Sequence, residues 1–176
     1  MPLEISQELS AWTAQLKNTK KTLSFLEKRL LEMPLGGTAV GTGINAHPRF
    51  AKTFAKELSV LTGGKCKAIS SENFFHELSS QDTAVQVSGE LKNLAVTLMK
   101  ISNDLRWMNS GPLAGLSEIE LKGLQPGSSI MPGKVNPVIP EAVAMAAADV
   151  IGNDVTITIA AQSGNFQLNV MLPVIA

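Results

Sequence analysis

Apolar residues recur at alternating steps of four and three along two long stretches of this chain, and that rhythm leaves few folds open. In the first stretch Ile5, Leu9, Trp12, Leu16, Leu23, Leu26, Leu30 and Met33 keep step, with Thr19 as the polar interruption. In the second, Val87, Leu91, Leu94, Leu98, Ile101, Leu105 and Met108 do the same. A repeat of about 3.5 residues returns each side chain to one face of a helix, so both stretches are predicted as long rods packed side by side in a bundle. Lys17, Lys20, Lys21, Lys28 and Arg29 fall on the opposite face of the first rod and read as its solvated side.

A third long helix is expected to begin near Pro140, with Glu141 favourably placed at its positive end. Its alanines (Ala142, Ala144, Ala146, Ala147, Ala148) make it apolar nearly all round, which suits the middle of a bundle. The piece Asp154–Ile159 alternates like a strand, but with no partner strand evident it reads as buried helix continuing the same rod. A shorter helix is expected from Pro48 to Leu61, closed by Gly63 and Gly64. The fold class is therefore all-α, and 176 residues suffice for about one domain with a sizeable core.

Fifteen basic and fifteen acidic residues balance, so no global field invites nucleic acid or an acidic membrane surface. The most apolar run, Ala142 to Ala148, is stopped by Asp149, and no segment is expected to reach the ~20 residues of a membrane helix. Cys66 is alone, which fits a reducing cytoplasm, and the start Met1-Pro2-Leu3-Glu4 lacks the features of a signal peptide. His47 and His76 stand apart and read as structural or exposed rather than as metal ligands. Gly41, Gly43 and Ala46 satisfy the spacing of a dinucleotide fingerprint, which has meaning only between a strand and a helix of a βαβ unit. A long helix and Pro34 precede it, so the glycines of residues 35–46 are expected to serve a sharp, closely packed connection.

Chemistry concentrates between Gly127 and Glu141, read Gly-Ser-Ser-Ile-Met-Pro-Gly-Lys-Val-Asn-Pro-Val-Ile-Pro-Glu. Glycines there permit unusual backbone angles, Ser128 and Ser129 bring hydroxyls, and Lys134 and Asn136 stand two apart, where an extended backbone points both the same way. Such a loop suits an anion. The stretch resembles the GSSxMPxKxN signature of the fumarase/aspartase superfamily, which eliminates water, ammonia or an amine from substituted succinates.

The resemblance extends over the chain: Leu35–Ala46 with His47-Pro48, Leu94–Trp107 with Ser110-Gly111-Pro112, Ile151–Asp154 and Ser163–Val170 are similar to stretches of class II fumarases. It implies the long helices of that superfamily's central bundle, with residues 1–176 as part of it and the N- and C-terminal domains absent. It also implies a carbon-oxygen lyase of the tricarboxylic acid cycle that hydrates fumarate to L-malate, without metal or redox cofactor. By the same resemblance Ser128 is the catalytic base and Glu141 pairs with a relay histidine. Lys134, Asn136 and Ser129 bind a small dicarboxylate, and the parent enzyme is a homotetramer whose sites are shared among subunits.

Two departures stand out. Leu113 occupies a position where arginine is common, and Glu72-Asn73-Phe74-Phe75-His76 replaces a Pro-Asn-Lys-Phe-Glu pattern. The family's upstream substrate segment and its Thr-His pair have no counterpart, so this piece is expected to be inactive alone. Aspartate ammonia-lyase, and a catalytically silent helical oligomerisation module, are the alternatives.

Overall fold

A computed structural model describes residues 1–127 and 129–176. In chain order the elements are α1 (Ile5–Glu27), a 3₁₀ turn (Arg29–Leu31), β1 (Glu32–Met33), α2 (Phe50–Leu61), β2 (Ile69–Ser70), α3 (Phe74–Ser79), α4 (Asp82–Met108), α5 (Val138–Gln162) and α6 (Leu172–Ile175). The all-α expectation holds. The two short strands pair in parallel with each other, Glu32 beside Ile69 and Met33 beside Ser70.

Helix α1 ends at Glu27, short of Leu30 and Met33, which the apolar rhythm had placed on its face. Leu30 falls in the 3₁₀ turn and Met33 in β1. Pro34 accounts for Met33 alone, because a residue preceding proline is driven out of the helical region. Helix α2 stops as expected. Gly63 and Gly64 take φ of 63° and 74° and return their N–H groups to the carbonyls of Val60 and Ser59 at 2.9 and 2.8 Å. Residues 154–159 lie inside α5, so helix wins over their strand-like alternation. Their expected burial is only partial, since Asp154 is buried while Val155 and Ile159 are 58% and 51% exposed.

Helix α5 also corrects the membrane estimate. Asp149 does not interrupt it, and with 25 residues and an 18-residue window of mean hydropathy 1.4 it is long and apolar enough to cross a bilayer by those two measures. The core helix of a bundle meets the same measures, and Asp154 argues for that role. It is 4% exposed and accepts a hydrogen bond from Ser88 Oγ at 2.8 Å, a protein partner for a buried carboxylate.

Along each long helix most buried positions recur at steps of seven: Trp12, Thr19 and Leu26 on α1, Ser88, Ala95 and Ser102 on α4, Pro140, Ala147 and Asp154 on α5, with Thr97 and Ala160 buried off that step. Thr19, the apparent interruption, is thus a seam residue whose hydroxyl bonds the Gln15 carbonyl at 3.2 Å. The larger residues of α4, Leu94, Leu98, Ile101 and Leu105, are only half-buried and Leu91 is exposed. On α4 the buried positions are held by small side chains, Ser88, Ala95, Thr97 and Ser102.

The chain divides into two units, Met1–Thr19 with Leu91–Asn153, and Lys20–Glu90 with Asp154–Ala176. In the first, Lys100 Nζ lies 2.9 Å from Glu8 Oε1, 2.5 Å from Asp104 Oδ2 and 5.6 Å from the Trp12 ring centroid. The Lys100 hydrogen bond holds the Glu8 carboxyl below its usual range, while Asp104 and then Glu8 raise the ammonium. In the second, residues 35–46 fold against α3. A Cβ on Gly37 would stand 2.8 Å from Phe74 Cβ, and one on Gly41 2.9 Å from Phe75 Cδ1. The N–H groups of Gly41 and Gly43 turn inward to the Gly37 carbonyl at 3.0 and 2.9 Å. These glycines serve packing, as the sequence suggested.

Candidate active site

The signature lies in the first unit, on the connection between α4 and α5. Past Met108 the chain folds back on the helix end: Glu118 N–H reaches the Met108 carbonyl at 2.9 Å and Leu121 N–H reaches Asn109 Oδ1 at 2.7 Å. Ser110 ties the Ser-Gly-Pro turn, its hydroxyl donating to the Trp107 carbonyl at 2.5 Å and accepting from Leu116 N–H at 3.1 Å. Leu113, in the position noted as a departure, is fully exposed.

From there the backbone reaches Gly127, whose Cα side lies against the Lys134 carbonyl so closely that a Cβ would overlap it. That approach needs glycine and closes the signature into a loop of its own. Lys134 N–H bonds the Met131 carbonyl at 3.1 Å, and Gly133 turns the chain with φ 85°. Ser129, Lys134 and Val135 are exposed, and Asn136 is half-buried. Helix α5 then starts, with Glu141 N–H on the Pro137 carbonyl at 3.1 Å. Ser128 lies outside the described residues.

Glu141 sits in the first turn of α5, half-buried, where its charge faces the positive end of the helix. It lines a cavity of about 440 Å³ with Val135 and Pro137, which flank Asn136, and with Asn103, Arg106 and Asn109 from the end of α4. Arg106 Nη1 donates to Asn103 Oδ1 at 3.2 Å. The structure thus brings Glu141 to the segment that follows Lys134, while Ser129 and Lys134 stay on the exposed side of the loop. Asn103 and Arg106 fall within the stretch Leu94–Trp107 noted in the sequence, which gave them no site role, and Asn109 was not singled out at all. Their spacing of three, on the last turns of an amphipathic helix, was the available signal. Among the described residues no group of His, Cys, Asp and Glu is arranged to hold a metal ion.

Known proteins agree over the whole length. A model of the lyase family matches residues 1–152. Across all 176 residues the chain is 62% identical to "Fumarate hydratase class II 2" of Pseudomonas aeruginosa and 60% identical to "Fumarate hydratase class II" of Xylella fastidiosa, spanning 38% and 37% of those proteins. The crystal structure of class II fumarase from Schistosoma mansoni superposes with a TM-score of 0.97 at 36% identity, over 99% of this chain and 39% of that one. The chain therefore spans less than two-fifths of the relatives it matches. With the family match covering 1–152 and these likenesses running end to end, the chain belongs to the lyase family and is similar throughout to class II fumarate hydratases.

Proposed function

We propose that this chain carries the signature loop of a class II fumarate hydratase, whose complete form reversibly adds water to fumarate to give L-malate. One observation carries the reading: 62% identity to a relative of that name across every residue of the chain, signature included. The chemistry suits the parts. Taking a proton from the carbon beside a carboxylate builds a doubly charged, carbanion-like group, which demands a base and preorganised positive donors. In this reading Ser128 is the base, Lys134 and Asn136 hold the carboxylate and stabilise the serine alkoxide, and Ser129 adds a hydroxyl donor. Glu141 orients a relay histidine supplied by another segment of the assembly, for which the cavity beside it leaves room.

The same reading makes residues 1–176 part of the central helical domain of a cytoplasmic homotetramer acting on a small dicarboxylate. Uncovered apolar surface supports assembly. Ile139, Met145, Val155 and Ile159 on α5 are each more than half exposed. Large apolar side chains left exposed along one helix mark an interface. The test is to assay the complete protein with malate and with aspartate. Fumarate from malate is expected, and turnover of aspartate alone would overturn the assignment. Light scattering on the 176-residue chain at tens of micromolar should show association, and a clean monomer would remove the support for assembly.

A further inference from the structure

Helix α3 has six residues, too few to hold its shape unaided, yet three other segments of its unit pack on it. Phe74 and Phe75 fill the spaces that Gly37 and Gly41 leave open, and a Cβ on Gly164 would stand 2.8 Å from the Ser79 carbonyl. The third attachment, to α4, includes a charged contact. His76 presents Nδ1 to Glu77 Oε1 at 2.7 Å and Nε2 to both oxygens of Asp82 at 3.1 Å. Arg29 of the 3₁₀ turn stands behind, with Nη2 at 4.0 Å from Asp82 Oδ2 and Nη1 donating to Gln86 Oε1 at 3.2 Å.

We propose that His76 is a proton-operated clasp: when charged it holds α3 to the first turn of α4, and when neutral it lets α3 and the glycine loop stacked on it loosen. The geometry requires two donors from one ring. A neutral imidazole has a single N–H, so its other nitrogen would aim a lone pair at a carboxylate oxygen, whereas the imidazolium satisfies both. The helix end adds to this preference at Asp82, whose carboxylate lies in the first turn of α4. The charged groups facing the ring are Glu77 on α3 and Asp82 on α4, with Arg29 acting on Asp82 from the turn after α1. The cavity of about 590 Å³ that His76 and Asp82 share is lined from α5 and the turn beyond it by Thr158, Ala161, Gln162, Gly164 and Phe166, none of them charged.

The direction of the switch follows from the ring's partners. The hydrogen bond His76 donates to the Asp82 carboxylate leads in raising the His76 pKa above its ordinary 6.5, opposed by burial and helped by Glu77. Burial pushes Asp82 the other way, but its own N–H, His76 and Arg29 hold its carboxyl below the usual 3.8, so it stays charged throughout. A raised histidine contributes its stabilisation in full below 6.5 and loses it as pH rises through the elevated value. The side chains of His76 and Asp82 are 37% and 49% exposed, so water screens the pair and the effect is local loosening, not unfolding.

The test is hydrogen exchange on the 176-residue chain at about pH 6 and about pH 8.5, corrected for intrinsic rates, with NMR titration of the His76 ring. Protection of residues 36–43 and 74–79 should fall several-fold at the higher pH while residues 91–108 keep theirs. His76→Gln should abolish the difference, and Asp82→Asn should lower the ring's midpoint. Equal protection of α3 at both pH values overturns the proposal, as does loosening shared equally by α4, or a midpoint indifferent to Asp82→Asn. Should Asp82→Asn fail to fold, the exchange comparison on the unaltered chain decides by itself.

Discussion

Residues 35–46 and 127–137 are both glycine-rich connections, and they use glycine for opposite ends. In the first, missing side chains make room: Phe74 and Phe75 lie where Cβ atoms of Gly37 and Gly41 would stand, and N–H groups turn inward to the Gly37 carbonyl. In the second, Gly127 touches the Lys134 backbone, pinching the loop at its base, while nothing lies within 4 Å of a Cβ on Gly133. The result is a tied base and an exposed rim bearing Ser129, Lys134 and Val135. One loop consumes its polar groups to pack a fold. The other keeps chemical side chains facing outward, as a binding loop on a rigid scaffold does.

The largest effect expected from this contrast is loss of catalysis when the second loop stands alone. The chain as it is should show no steady loss of fumarate ultraviolet absorbance, because groups acting as a unit lose nearly everything when their partners are missing. Turnover co-purifying with the 176-residue species would make the signature loop sufficient and break that expectation. Next comes Lys134→Ala in the complete protein, predicted to lower turnover by about 10²–10³ with an unchanged melting temperature. An unchanged rate would remove the basis for treating this loop as catalytic. Gly41→Ala tests the first loop. It combines a positive φ of 104° with a Cβ 2.9 Å from Phe75, so a destabilisation of about 1–3 kcal/mol is expected, with rate per folded molecule in the complete protein preserved. A melting temperature matching the parent would show that loop to be as tolerant as the signature rim.

The smallest effect belongs to the ion cluster of the first unit. Lys100 is half exposed, with Glu8 and Asp104 a third exposed. Lys100→Met keeps the stem over Trp12 and should barely move the melting temperature, with the small difference vanishing in high salt. A shift of many degrees would place this cluster among the folding determinants.

How far the sequence reached can be judged element by element. The apolar rhythm located α4 and most of α1, and Gly63-Gly64 located the end of α2, because helix period and glycine stops act over a few neighbouring residues. It overran α1, whose helix gives way to a 3₁₀ turn after Glu27 although the periodicity continues, and Pro34 forbids helix only at Met33. It placed the signature and its flanking helix start, yet gave Asn103, Arg106 and Asn109 no role. Their approach to Glu141 spans more than thirty residues of chain, and no local pattern encodes it.

By itself the sequence determined that long amphipathic helices form, where their breaks fall, and which fifteen residues concentrate anion chemistry, since these rest on backbone preference and side-chain type. Tertiary packing decided the rest. It buried Thr19, Ser88, Ala95 and Asp154 alongside Trp12 and Leu26 while leaving Leu9, Leu16 and Leu91 exposed, a choice made by which neighbours each side chain meets after folding. It also turned His76, unremarkable as a letter, into a bridge between α3 and α4. Two carboxylates can share one imidazole only after folding has fixed them on opposite sides of the ring.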